Sequence, residues 1–102
     1  MSYSHDFLRE WSQDFRDGIL NGGSSARMCF AVSAALGGAL RALLGIESKL
    51  VEGDFGSINH VWLELPDGTI LDATADQFGG PPVYIGPLTD VYRRALSGDG
   101  NP

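Results

Sequence analysis

Three side chains in this 102-residue sequence, Cys29, His60 and Asp72, could together do acyl chemistry. A thiolate is a strong nucleophile, an imidazole can take or share the thiol proton, and a carboxylate can fix the imidazole tautomer and balance its charge. Taken singly, each residue has an ordinary structural role. A lone cysteine commonly fills core space, and a strand-end histidine is commonly satisfied by local hydrogen bonds. An aspartate in an apolar strand is unfavourable unless it has a partner.

The elements that must position these groups can be read along the chain. Phe7, Trp11, Phe15 and Ile19 recur at helical spacing, so residues 4–20 read as an amphipathic helix with Ser4 as N-cap. Its aromatic stripe faces the core, and Arg9, Glu10, Asp14, Arg16 and Asp17 fill the outer face. Asn21-Gly22-Gly23-Ser24-Ser25 stops that helix. A second helix is expected over 26–44, capped by Ser24 or Ser25 and ended by Gly45. It is apolar or small on most sides, which marks a central helix covered by neighbours. Gly37-Gly38 within it suggests close approach of another backbone. Cys29 stands near its start, where unpaired N–H groups and the helix dipole favour a thiolate and can hold an oxyanion.

Short strands are expected at 48–53, 58–65, 69–73 and 83–85, with loops at 54–57 and 75–82 and a last short helix at 88–96. In the second strand Val61, Leu63 and Leu65 share one face, and His60, Trp62 and Glu64 share the other. Leu65-Pro66-Asp67-Gly68-Thr69 suits a type I turn followed by a left-handed glycine, the three-residue hairpin loop with a bulge. That register sets Trp62 opposite Asp72 and His60 opposite Thr74, so Asp72 lies diagonal to His60 on the same face. A two-residue Asp67-Gly68 loop would instead turn Asp72 to the other face. The whole is an α+β fold in which N-terminal helices, the central one above all, pack on a small antiparallel sheet. A single compact domain is expected over 1–96, with a frayed tail at 97–102.

Cys29 at the start of an apolar helix, then His60-Val61-Trp62, then Asp72-Ala73-Thr74 resembles the transglutaminase-like branch of the papain-like cysteine peptidase superfamily. Ala73 stands where that family has a proline, and both intervals between the three residues are short for it. Ala75-Asp76-Gln77-Phe78-Gly79 is similar to a stretch of small bacterial and phage proteins of this kind. The resemblance covers about residues 22–80. It implies attack on an amide or ester carbonyl through a thioester, as a peptidase, deamidase or transglutaminase, with Cys29, His60 and Asp72 as the triad. It implies no cofactor, and a substrate that is a peptide, a protein or an amide-containing small molecule. The oxyanion donors would be the Cys29 backbone N–H and a polar side chain, for which Asn21 and Ser24 are the nearby choices and Gln13 a more distant one. Gln77, Trp62 and Tyr84 are further substrate or oxyanion candidates, each also readable as a structural amide or a core aromatic. Asp76 could replace Asp72 as the orienting acid or could cap a turn.

Composition bounds these readings. Seven basic against 13 acidic residues give a net charge of −6, which argues against phosphate-backbone binding and against anionic membranes. One cysteine excludes an intrachain disulfide and paired-cysteine redox or zinc sites. With no charged-then-apolar leader at Met1-Ser2-Tyr3-Ser4, a cytoplasmic protein is expected. Two alternatives stand beside the enzyme. One is a catalytically inactive binding or adaptor module on the same fold; a protein partner that completes the cleft is a further candidate. The other is a mononuclear metal site from Cys29, His60 and Asp72 or Asp76.

Overall fold

The computed structural model describes residues 3–55 and 58–97. Gly56 and Ser57, expected in a loop, and the expected tail beyond Ser97 lie outside the described residues. The first helix, α1, spans His5–Leu20. Ser4 Oγ accepts the Phe7 N–H at 3.1 Å, and the left-handed Asn21 closes the helix by donating its N–H to Asp17 O at 2.8 Å. The buried face is rotated from the one expected. Leu8, Ser12 and Arg16 lie innermost, Trp11, Phe15 and Ile19 pack half-buried beside them, and Phe7 is 41% exposed. Arg16, expected on the outer face, can be buried because a carboxylate from far along the chain meets it.

The second helix, α2, spans Cys29–Ala39 and widens into a π turn over Leu40–Leu44, ending at the left-handed Gly45. It begins three residues later than expected, without the serine cap. Ser24 Oγ accepts the Ala26 N–H at 3.0 Å, Ser25 is drawn away to Asp76, and Arg27 takes a positive φ of 63° before Met28 enters the helix. The expectation of a helix covered on all sides is also corrected. Val32, Ser33, Leu36 and Leu40 are buried, whereas Phe30, Ala31, Ala34, Ala35 and Gly38 face outward. Its scarcity of charge reflects small residues on the outer face rather than burial. The close neighbours of Gly37 are the Ser48 and Leu63 side chains, not another backbone.

Four antiparallel strands follow: β1 Lys49–Phe55, β2 Ile58–Glu64, β3 Ile70–Asp72 and β4 Tyr84–Gly86, in that spatial order. Asp54 and Phe55, expected in a loop, extend β1. The expected loop after β3 contains a 3₁₀ turn, Ala75–Phe78, and a last helix, α3, covers Asp90–Ser97. The fold is α+β, as the element order predicts. One sheet face carries Leu63, Leu71 and Ile85 against α1 and α2, and the other carries Trp62 and Ile70 against Tyr92 and Ala95 of α3. No helix among the described residues is long and apolar enough to cross a membrane.

The β2–β3 hairpin has the register that the turn chemistry predicts. Leu63 pairs with Leu71 and Glu64 with Ile70. Gly68 donates its N–H to Leu65 O at 2.9 Å, takes φ +86°, and lets Leu65 N–H reach Thr69 O at 2.8 Å. Hydrogen bonds from Thr69 hold the Asp67 carboxyl below its usual range and so tie the turn together.

Gly53 is where α3 crosses β1. A Cβ there would stand 2.9 Å from both Ala95 Cβ and Trp62 Cη2 and 3.0 Å from the Ala95 carbonyl carbon. Gly53→Ala should therefore force the helix off the sheet at a cost of about 1–3 kcal/mol. In thermal unfolding this should read as a drop of roughly 4–8 °C per kcal/mol, and an unchanged midpoint would show that α3 does not press on the strand.

Candidate active site

His60 and Asp72 meet as the register requires. His60 Nε2 lies 2.7 Å from Asp72 Oδ2, and both side chains are fully buried. A carboxylate only accepts, so Nε2 carries a proton, and in the neutral ring Nδ1 keeps the lone pair. Every other contact of the carboxylate also fixes its orientation. Thr74 donates to Oδ1 from its N–H at 3.1 Å and from its hydroxyl at 3.4 Å, and the Tyr92 hydroxyl of α3 donates to Oδ2 at 2.8 Å. Phe55 and Phe78 stand edge-on against the imidazole at 5.1 and 4.7 Å, with Trp62 at 5.9 Å. This apolar enclosure is the environment in which a charge-assisted hydrogen bond is strong and an unpaired charge is costly.

Cys29 is the first residue of α2 and is partly exposed. Helix and strand run in step here. Ser33 Oγ donates to Val61 O at 3.2 Å, and Gly37 lies against Leu63. Four helical residues rise about 6 Å and two strand residues about 6.7 Å. One turn back from Ser33, Cys29 falls level with Asn59 of β2, while the His60 ring shares the Trp62 face of the sheet, which α3 covers. His60 Nδ1, the nitrogen not used by Asp72, is buried with no hydrogen-bond partner, so thiol and imidazole share no hydrogen bond in this structure. No side chain caps the start of α2, which leaves its first N–H groups open to a substrate oxygen.

Asp76 does not compete for His60. Its carboxylate accepts from Arg16 Nη2 and from Ser25 Oγ, both at 2.7 Å, while Gln77 Nε2 donates to Ser25 O. The Ala75-Asp76-Gln77-Phe78 turn therefore grips Ser25 in the loop that delivers Cys29, and the strained Arg27 sits within that anchored stretch. Gln77 serves as a structural amide here. Asn21 is exposed at the end of α1, and Ser24 is exposed and occupied with Ala26, so neither is held as an oxyanion donor. Trp62 is fully buried between the sheet and α3 and cannot touch a substrate. Tyr84 is half-buried with its hydroxyl donating to Pro87 O at 2.6 Å. It lines a mainly apolar cleft of about 190 Å³ beside Asp72, together with Phe55, Phe78, Val91 and Tyr92.

Sequence reasoning missed Arg16, Ser25, Thr74 and Tyr92. For Thr74 a signal existed, because Asp-x-Thr is a local turn pattern in which the aspartate accepts from the backbone two residues on. For the other three the partner lies on a distant element, and nothing local marks them. Among the described residues no group of three or more histidine, cysteine and acidic side chains is placed to hold a metal ion. Comparison with protein-family models, with curated proteins and with solved structures finds no match for this chain.

Two predictions arise from these contacts. Asp76→Ala leaves the Arg16 guanidinium, 7% exposed, without its carboxylate. Because Asp76 itself is 31% exposed and water can enter, the cost should be about 2–3 kcal/mol. Adding Arg16→Leu should recover most of it in chemical denaturation, whereas equal loss in single and double variants would deny the ion pair its role. The second concerns pH. Burial, and then the charge of Asp72 and the nearby Tyr84, push the Tyr92 hydroxyl well above its ordinary value of 10.0. A group raised in the folded state supports folding fully below its unfolded value, so stability should fall as pH rises beyond about 10. Tyr92→Phe should flatten that alkaline loss in a pH series of unfolding midpoints.

Proposed function

We propose that the chain is a cysteine-dependent acyl enzyme, a thiol hydrolase or transferase acting on an amide or ester carbonyl. This places it with the transglutaminase-like and papain-like enzymes that its motifs resemble. The observation that carries the reading is the buried His60–Asp72 pair, whose Nδ1 is left without a hydrogen-bond partner in a chain whose one thiol stands at a helix start. In this reading His60 Nδ1 takes the Cys29 proton, and the thiolate adds to the substrate carbonyl. The oxyanion is held by N–H groups at the start of α2. Collapse of that adduct breaks the bond to the amine or alcohol, which leaves with the proton from His60 and leaves a thioester on Cys29. Water then completes hydrolysis, or an incoming amine completes acyl transfer, with His60 again moving the proton. Asp72 keeps the proton on Nε2 and stabilises the imidazolium. The substrate is a peptide, a protein or an amide-containing small molecule, and a cytoplasmic setting and a partner that completes the cleft belong to the same reading.

The test is labelling of the purified protein with iodoacetamide at mildly acidic pH, followed by peptide mapping. Cys29 should react far faster than a model thiol, and His60→Ala should abolish the difference. A second reading, a binding module without catalysis, is favoured by one feature. The imidazole is sealed by Phe55 and Phe78, and its Nδ1 is not on the thiol. Apo sites often hold such hydrogen bonds loosely until substrate arrives. Ordinary thiol reactivity together with an unchanged rate in His60→Ala would decide for the binding module.

A further inference from the structure

We propose that Tyr92 is a positioning residue of this site: its hydroxyl shares Asp72 Oδ2 with His60 and so sets how tightly the carboxylate holds the imidazole. The inference rests on the reading of His60 as the site's base. Tyr92 is 7% exposed and stands on α3, the element farthest along the chain from Cys29. Its ring is held on three sides, stacked on Tyr84 at 5.6 Å and edge-on to Trp62 at 5.0 Å and Phe55 at 5.5 Å. Packing alone would be served by phenylalanine, and a buried hydroxyl is costly unless it is bonded. Here it is bonded at 2.8 Å to the same oxygen that His60 Nε2 meets at 2.7 Å, while Thr74 occupies the other oxygen. Two donors on one acceptor atom compete for its electron density, so each bond limits the other. Phe55 from β1 and Tyr84 from β4 line the same cleft as Asp72 and Tyr92. Burial keeps Tyr92 a neutral donor over the range in which a thiol enzyme works.

The test reads the His60 Nε2–H proton by nuclear magnetic resonance in the full chain with labelled histidine. That proton is shielded from exchange by burial. In Tyr92→Phe the ring and its packing are kept and the competing donor is removed, so the resonance should move downfield as the His60–Asp72 bond tightens. Placing 3-fluorotyrosine at position 92 makes the phenol a stronger donor, and the resonance should move upfield. The fluorinated protein keeps the test decisive even if Tyr92→Phe does not fold. A purely structural tyrosine would lower the thermal midpoint in Tyr92→Phe and leave the resonance in place. A resonance unmoved in both proteins, or moved the same way in both, overturns the proposal. The parallel labelling of Cys29 in His60→Ala separates the two ideas. If labelling does not depend on His60 while the resonance still responds to position 92, then Tyr92 tunes the pair but the acyl-enzyme reading is lost.

Discussion

Replacing His60 with alanine should slow the alkylation of Cys29 at mildly acidic pH by about 100-fold or more. The size follows from the thiolate fraction. An ordinary cysteine titrates near 8.5, so at pH about 5.5 only about one thiol in a thousand is ionised. An imidazole that accepts the thiol proton and keeps it as an imidazolium holds the sulfur as a thiolate over that same range. In the proposed mechanism Asp72 would support that imidazolium through Oδ2, 2.7 Å from Nε2. If His60 activates the thiol as proposed, removing the ring should bring Cys29 close to the reactivity of a free thiol, with the start of α2 supplying only a small remainder. Circular dichroism of the variant separates lost activation from lost fold, because His60 also partners a buried carboxylate. A folded His60→Ala that labels as fast as the parent would leave Cys29 as a partly exposed packing residue.

Asp72→Ala should be among the most destabilising single changes in the chain, at about 3–5 kcal/mol. The carboxylate receives four donors, from His60 Nε2, the Tyr92 hydroxyl and both the N–H and the hydroxyl of Thr74. All three residues are buried, so their donors lose the shared acceptor in surroundings where water substitutes for it poorly. Against the roughly 5–15 kcal/mol that holds a domain of this size, that loss should shift the urea midpoint by a large part of its value. Asp72→Asn should fall between the two, since it keeps the volume and one acceptor but turns an N–H₂ toward groups that are themselves donors. A midpoint for Asp72→Ala close to that of the parent would mean that the His60–Asp72–Tyr92 cluster is not closed as described.

How much of this was legible in advance depends on the range of each interaction. Ser4 as the cap of α1, Gly45 as the end of the α2 and π-turn segment, and the hairpin through Pro66-Asp67-Gly68 were readable because each depends on a few adjacent residues. The hairpin register carried the pairing of His60 with Asp72, since strand alternation transmits a turn's geometry along two strands. The start of α2 was misplaced because Ser25, a good cap in isolation, bonds Asp76 from across the chain. The inner face of α1 was misread for the same reason. Arg16 looks like a surface residue until Asp76 arrives beside it.

A small acidic α+β chain with one thiol, and a histidine and an aspartate on one hairpin face, could be read from the amino-acid order alone. Those properties follow from composition, periodicity and turn chemistry, which act over neighbouring residues. That Asp72 rather than Asp76 holds the imidazole, that Trp62 is sealed inside the fold, and that Tyr92 closes the carboxylate became visible once the chain was folded. Those outcomes depend on which distant groups are brought within hydrogen-bond distance when α1, the 3₁₀ turn and α3 pack around the sheet. No local pattern encodes such a meeting, because burial selects partners by proximity in space and not by distance along the chain.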